Sequence, residues 1–160
     1  MLMLTTILSD FSRVIFNPKD KNYTGTLNGL YKELLEATTP FNFFDYFEFN
    51  EDILDLYSSL KDRYLINVFT TGTIQSAPEV RQKIGLIFDN IFSAEEYQLD
   101  KKQPEAYLFI AKKLNKGHAE IIYIDDEITN IQAAKKAGLA VILYQDFGQL
   151  KSQLAKILEQ

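Results

Sequence analysis

Three short apolar runs in this chain each end abruptly in a polar cluster, and that repetition constrains the fold more than any other feature. Residues 3–9, rich in Leu, Ile and Thr, run into Asp10, Ser12 and Arg13. Residues 65–69 run into Thr70, Thr71, Gly72 and Thr73, and residues 121–124 run into Asp125 and Asp126. Apolar runs of this length, bounded by polar residues, read as strands buried on both faces of a parallel sheet. Between them the apolar period becomes helical: residues 52–64 with Ile53, Leu56, Tyr57 and Leu60, residues 104–114, and residues 129–137 closed by Gly138. A strand over 140–144 and a helix over 147–158 complete the alternation. Strands alternating with helices predict an α/β, doubly wound parallel sheet. Ligands of such sheets bind outside the carboxyl ends of the strands, so the three polar clusters are expected to meet in one place.

The stretch 17–50 differs in character. It packs Tyr23, Tyr31, Phe41, Phe43, Phe44, Tyr46, Phe47 and Phe49 into little sequence and reads as an insertion after the first strand. A helix over 26–36 carries Leu27, Leu30, Tyr31, Leu34 and Leu35 on one face, enough to pack over the sheet edge but not to make a core of its own. The aromatic residues lack basic neighbours and read as packing rather than as a base-stacking platform.

A chain of 160 residues with 46% hydrophobic and 24% charged residues is expected to form one domain over 1–160. The net charge of −5 argues against a nucleic-acid partner, which needs clustered Lys and Arg. Without cysteine there is no disulfide framework or thiolate chemistry, in keeping with a cytoplasmic location. The apolar start lacks a basic leader and reaches Asp10 too soon for a signal peptide or a membrane span, so it reads as a buried strand and no membrane partner is expected.

Asp10 at a strand end fits either a turn residue or a carboxylate nucleophile. The second role needs a neutralising cation and donors for the transferred group. Asp125 and Asp126 fit either a cap on the helix that follows or oxygen ligands for Mg²⁺, which is held through one or two carboxylates. Thr70, Thr71 and Gly72 fit either a turn or a cradle for phosphoryl oxygens. Lys101 and Lys102 form a solvated pair, or one of them supplies the cation. His118 reads as a surface residue, and Glu95 and Glu96 as a solvated turn.

Taken in order, these segments resemble the haloacid dehalogenase superfamily, in its branch of phosphatases, phosphomutases and dehalogenases with a cap inserted after the first strand. The resemblance rests on ILSDFSRVIF, INVFTTG, IFSAEEYQLDKKQPEAY and IIYIDDEITNIQAAKKAGL. It implies a Rossmann-like sheet with a short helical cap over 17–50. It further implies Asp10 as nucleophile, Thr70 as the hydroxyl residue and Lys101 as the cation, with Lys102 where a proline is usual. Mg²⁺ would be held by Asp10, the Ser12 carbonyl and Asp126, with Asp125 beside it and Asn130 where a further acid is common. Thr71, Gly72 and Arg13 would contact a substrate, expected to be a small phosphorylated metabolite, in a monomer or homodimer.

Two positions depart from the pattern. Ser12 stands where the phosphatases carry a second Asp as general acid and base, a task a hydroxyl performs poorly at neutral pH. Arg13 stands where a glycine is usual. The insertion is also shorter than the usual cap. The first reading is thus a slow Mg²⁺-dependent phosphomonoester hydrolase. A metal-independent 2-haloacid dehalogenase, with Arg13 or Lys101 as carboxylate anchor, is the second. A catalytically impaired binding or interaction protein is the third.

Overall fold

The computed structural model describes residues 3–158. Five parallel strands form the sheet in the order β5-β4-β1-β6-β7, where β1 is Thr6–Ser9, β4 Leu65–Thr70, β5 Asn90–Ser93, β6 Ile121–Asp125 and β7 Ala140–Leu143. The chain winds from β1 outward through β4 and β5, then returns to the other side of β1 for β6 and β7. The loops after β1 and β6 therefore leave in opposite directions, opening a crevice between those two carboxyl ends. Ser9 lies level with Val68 and Ile124, which places Asp10 beside the ends of both neighbours.

Strand alternation supplies two hydrophobic layers. Ile7, Val68, Ile124 and Ile142 face one side, packed by Ile53 and Tyr57 of α3 (Glu51–Leu60), Val80 and Ile84 of α4 (Pro78–Ile84) and Leu150 and Leu154 of α7 (Phe147–Leu158). Leu8, Phe69 and Tyr123 face the other, packed by Tyr107 and Ile110 of α5 (Pro104–Leu114) and Ile131 and Ala134 of α6 (Ile128–Lys136). Each fully buried aliphatic or aromatic side chain stabilises the fold by about 1.5–3 kcal/mol, so these layers fix the strand ends that carry the polar clusters. Among the described residues, no helix is long and apolar enough to cross a membrane.

Several boundaries differ from expectation. The first strand begins at Thr6, Met3 is 68% exposed, and the expected burial of residues 1 and 2 lies outside the described residues. The helix expected over 52–64 ends at Leu60, where the N–H groups of Arg63 and Tyr64 turn back onto the Leu60 carbonyl. Strand β5 and helix α4 give little sequence signal. β5 is a four-residue edge strand, and α4 has only seven residues with Pro78 in its first turn.

Residues 17–50 leave and return through a two-stranded antiparallel ribbon, β2 (Phe16–Pro18) with β3 (Phe47–Phe49). Phe16 is fully buried there, its ring 4.8–5.8 Å from those of Phe11, Phe43, Phe47 and Phe49. Such pairs add about 0.5–1.5 kcal/mol each beyond burial. The helix α1 (Leu27–Glu36), capped by the Thr26 hydroxyl, buries Leu27 and half-buries Leu30, Tyr31 and Leu34. Leu35, expected on the same face, is 60% exposed, because it sits past the narrow stripe that the partner surface covers.

One side chain bolts α1 to the sheet end. Asn28 Oδ1 accepts from the N–H groups of Thr73 (3.0 Å) and Ile74 (2.8 Å), just beyond β4. A Cβ at Gly72 would lie 2.4–2.5 Å from the Asn28 amide, so the glycine makes room for this contact. Asn28→Ala leaves both donors without their protein partner and is expected to cost about 1–2 kcal/mol, read as a fall of several degrees in Tm. An unchanged Tm would show that water replaces the amide at no cost.

Candidate active site

The turn after β1 aims Asp10 into a cleft of about 590 Å³, lined also by Ser12, Arg13, Thr70, Thr71, Gly72, Lys101 and Asp126. Asp10 is 7% exposed. Its Oδ1 accepts from the Phe11 N–H (2.9 Å) and from Lys101 Nζ (3.0 Å). From below, the Tyr57 hydroxyl donates to Ser9 Oγ (2.8 Å), which donates to the Asp10 carbonyl (2.9 Å).

Lys101, 5% exposed, is the cation of this site. Its ammonium also contacts the Phe69 carbonyl (3.0 Å) and Asp125 Oδ2 (3.2 Å), and lies over the faces of Phe69 and Tyr123. Tyr107, donating its hydroxyl to the Lys101 carbonyl at 2.6 Å, fixes the loop that delivers it. Lys102 is exposed and does not line the cleft.

The two acids after β6 divide their tasks. Asp125 is fully buried and accepts from the Tyr123 hydroxyl, the Asn130 amide (3.0 Å) and the Glu127 N–H (2.9 Å). It thus satisfies the start of α6 while holding Lys101. Asp126 is exposed to the cleft. Oxygens of Asp10, Asp125 and Asp126 lie within 4.8 Å of one another and could hold a metal ion.

Burial pushes the Asp10 carboxyl up to about 8, against the pull of Lys101 and with the help of Asp125 and Asp126. Burial and the neighbouring Asp125 raise Asp126 to about 6. Burial acts on Asp125 too, but Lys101 and three hydrogen-bond donors outweigh it and hold this carboxyl below its ordinary value. Burial opposes the Lys101 ammonium, yet Asp10 and Asp125 more than compensate and raise it. One ammonium thus serves two buried carboxylates, Asp10 at 3.0 Å and Asp125 at 3.2 Å, and leaves one negative charge of that trio without a counterpart.

The two departures at the nucleophile turn have distinct structures. Ser12 Oγ is buried and has no hydrogen-bond partner among the described residues. Arg13 keeps the glycine-like turn, with φ +65°, at a cost of about 1–2 kcal/mol for a non-glycine residue. Its Nη2 donates to the carbonyls of Tyr23 (3.2 Å) and Gly25 (2.6 Å), which offsets that strain and ties the segment before α1 to the turn.

Thr70 is buried at the end of β4, and Thr71 is exposed at the cleft. The Gly72 carbonyl accepts from Ser93 Oγ (2.8 Å) and the Gln75 amide (2.7 Å), which shapes this loop. His118 is exposed. Sequence reasoning passed over Tyr57, Tyr107 and Tyr123, because a tyrosine at an apolar position carries no sign that its hydroxyl serves a site. A second cleft of about 600 Å³, by Phe44 and Phe49, has the exposed pair Lys83–Glu51 but no buried cation beside a carboxylate.

A family model for haloacid dehalogenase-like hydrolases matches residues 13–138. The chain belongs to that family. Because the match starts three residues after Asp10, the place of Asp10 in this hydrolase rests on the geometry above. The fold of the hydrolase is shared with a haloacid dehalogenase family enzyme from Bacteroides thetaiotaomicron, solved in complex with magnesium and inorganic phosphate. That likeness has 14% identity, a TM-score of 0.68, and coverage of 92% of this chain and 98% of that one. A predicted hydrolase of the family from Porphyromonas gingivalis is similar at 13% identity and TM-score 0.64, covering 96% and 98% of the two chains. A dehalogenase solved with an intermediate complex is similar at 21% identity and TM-score 0.53, over 58% of this chain and 42% of that one.

Two outcomes follow from the charge arrangement of this hydrolase. Lys101→Met leaves Asp10 and Asp125 buried together without their cation, and is expected to cost about 3–5 kcal/mol in denaturant unfolding. A loss under about 1 kcal/mol would mean that water already screens the pair. A carboxyl raised in the folded state favours folding most when protonated, below about pH 4, and that contribution is lost as pH rises toward 8. In chelator, Tm should therefore decline between pH 5 and 8.5, and Asp10→Asn should flatten the decline. Parallel profiles for the two proteins would contradict the assigned burial of charge.

Proposed function

We propose that this hydrolase cleaves phosphate monoesters with Mg²⁺, through an aspartyl-phosphate at Asp10. The observation that carries the reading is three carboxylates, Asp10, Asp125 and Asp126, with oxygens within 4.8 Å of one another, of which Asp10 and Asp125 share the single ammonium of Lys101. That set lacks two positive charges, which a divalent ion would supply, and hard carboxylate oxygens suit Mg²⁺. Asp10, Asp126 and the Ser12 carbonyl are the ligands we assign, since the oxygens of Asp125 are taken up by protein donors. Bound there, Mg²⁺ would offset charge on the phosphoryl group. The magnesium and phosphate complex of the Bacteroides enzyme of like fold supports the assignment.

Asp10 Oδ2 accepts no hydrogen bond from the described residues and is the oxygen we assign to attack phosphorus, Oδ1 being held by Phe11 and Lys101. The phosphorus–oxygen bond to the leaving group breaks, and its electron pair departs on that oxygen, which takes a proton from solvent. Lys101 and the Thr70 hydroxyl steady the phosphoryl oxygens, with Thr71 and Gly72 beside them. Water then attacks the same phosphorus, the bond to Asp10 breaks, and inorganic phosphate leaves with the carboxylate restored. Residues 17–50, tied down by Asn28 and Arg13, serve as a reduced cap.

Ser12 sets the rate, because its hydroxyl neither protonates a leaving group nor deprotonates water well at neutral pH. Aryl phosphates, whose leaving groups need little protonation, are the substrates of choice for a test. Turnover is expected only with Mg²⁺ and should vanish in Asp10→Asn; metal-independent turnover, or none at all, would sink the reading. Ser12→Asp should raise the rate on alkyl phosphates by about 10²–10⁴-fold. Equal rates in the two proteins would show that another step limits. The dehalogenase reading has less support, because of its two candidate anchors Arg13 already spends Nη2 on two backbone carbonyls and Lys101 is paired with Asp10 and Asp125.

A further inference from the structure

The cleft around Asp10 carries more negative charge than the phosphoryl chemistry uses. Besides Asp10 and Asp126, its lining includes Glu95 and Glu127. The N–H of Glu95 donates to the Thr71 carbonyl at 3.0 Å, and that of Glu127 to Asp125 Oδ1 at 2.9 Å. Glu95 follows β5 and Glu127 follows β6, so the two stand on either side of the β1 end that bears Asp10. Both are exposed, and neither forms a salt bridge among the described residues. Among the described residues, the cations lining the cleft are Arg13 and Lys101. Lys101 is committed to Asp10, Asp125 and the Phe69 carbonyl, and Arg13 holds the carbonyls of Tyr23 and Gly25.

We infer that Glu95 and Glu127 select against a second anion: the site takes phosphate monoesters whose leaving group is neutral or cationic and rejects those with another carboxylate or phosphate. The inference rests on the phosphatase reading above. A divalent ion answers the phosphoryl charge, and the four carboxylates of the lining, Asp10, Glu95, Asp126 and Glu127, still outnumber its two cations, Arg13 and Lys101. Charge repulsion across a wet cleft changes affinity by roughly fivefold per carboxylate, so the pair should discriminate by about tenfold or more. Because both rim groups face solvent, added salt should erode the effect.

The test compares three aryl phosphates on one ring, phenyl phosphate, 4-carboxyphenyl phosphate and 4-(aminomethyl)phenyl phosphate, with Mg²⁺ at low ionic strength. Binding of the corresponding benzylphosphonates, which are not hydrolysed, is measured in parallel by calorimetry. The carboxylated compounds are expected to show kcat/KM and affinity at least about tenfold below the neutral ones, with the aminomethyl compounds equal or better. The gap should close in the double variant Glu95→Gln/Glu127→Gln and shrink at 0.5 M salt. Equal treatment of all three, or a gap that survives in the double variant, overturns this selection and leaves the phosphatase reading standing. No turnover of any ester together with no binding of any phosphonate overturns both.

Discussion

The ammonium of Lys101 is the contact on which the rest of the site depends. It arrives from the loop before α5, held by the Tyr107 hydroxyl, and ends within 3.2 Å of carboxylates from β1 and β6. A buried carboxylate without a partner would protonate or force the strands apart, so Asp10 and Asp125 can share one strand-end crevice only because this cation lies between them. The same contact joins one of the two hydrophobic layers to the site. Phe69 and Tyr123, whose faces Lys101 covers, belong to the layer formed with α5 and α6.

One ammonium does not neutralise the whole cluster, and that deficit gives the site its character. Asp125 takes the larger share, with four donors around its carboxylate, and Asp10 is left raised. A carboxylate that is buried, anchored through one oxygen and short of counter-charge favours a further cation beside it. The scaffold beneath is rigid: Tyr57, Ser9 and the Asp10 carbonyl form a chain of hydrogen bonds that reaches from α3 to the turn. Stability is given up locally, at Asp10 and at the left-handed Arg13, and recovered in the layers around them.

Much of this was legible because parallel strands and strand-end chemistry share one signal. Apolar runs that stop at Asp10, Thr70 and Asp125 mark the sheet and the site together. The family resemblance extended that to Lys101, which lies in a loop without periodicity. Less visible were features that depend on the partner surface rather than on local pattern. The edge strand over Asn90–Ser93 is too short for an alternation to register, and Leu35 shares its helix's apolar spacing yet stays largely exposed. The tyrosines that orient Asp10, Lys101 and Asp125 look like core residues in the sequence, because their rings are core and only their hydroxyls are not. Arg13 was visible as an oddity, but its role as a tie to Tyr23 and Gly25 needed the loop's path in space.

The join between Asn28 and the loop after β4 has a mechanical consequence. The amide occupies donors only a few residues beyond Thr70, in space that exists because position 72 has no side chain. A lid on free linkers can swing without disturbing the floor beneath it. Here α1 and the loop after β4 are laced together, so lifting α1 would leave the N–H groups of Thr73 and Ile74 without their acceptor. The wall that Leu27 and Asn28 give the cleft is thereby fixed by the same two hydrogen bonds that order the chain beyond β4.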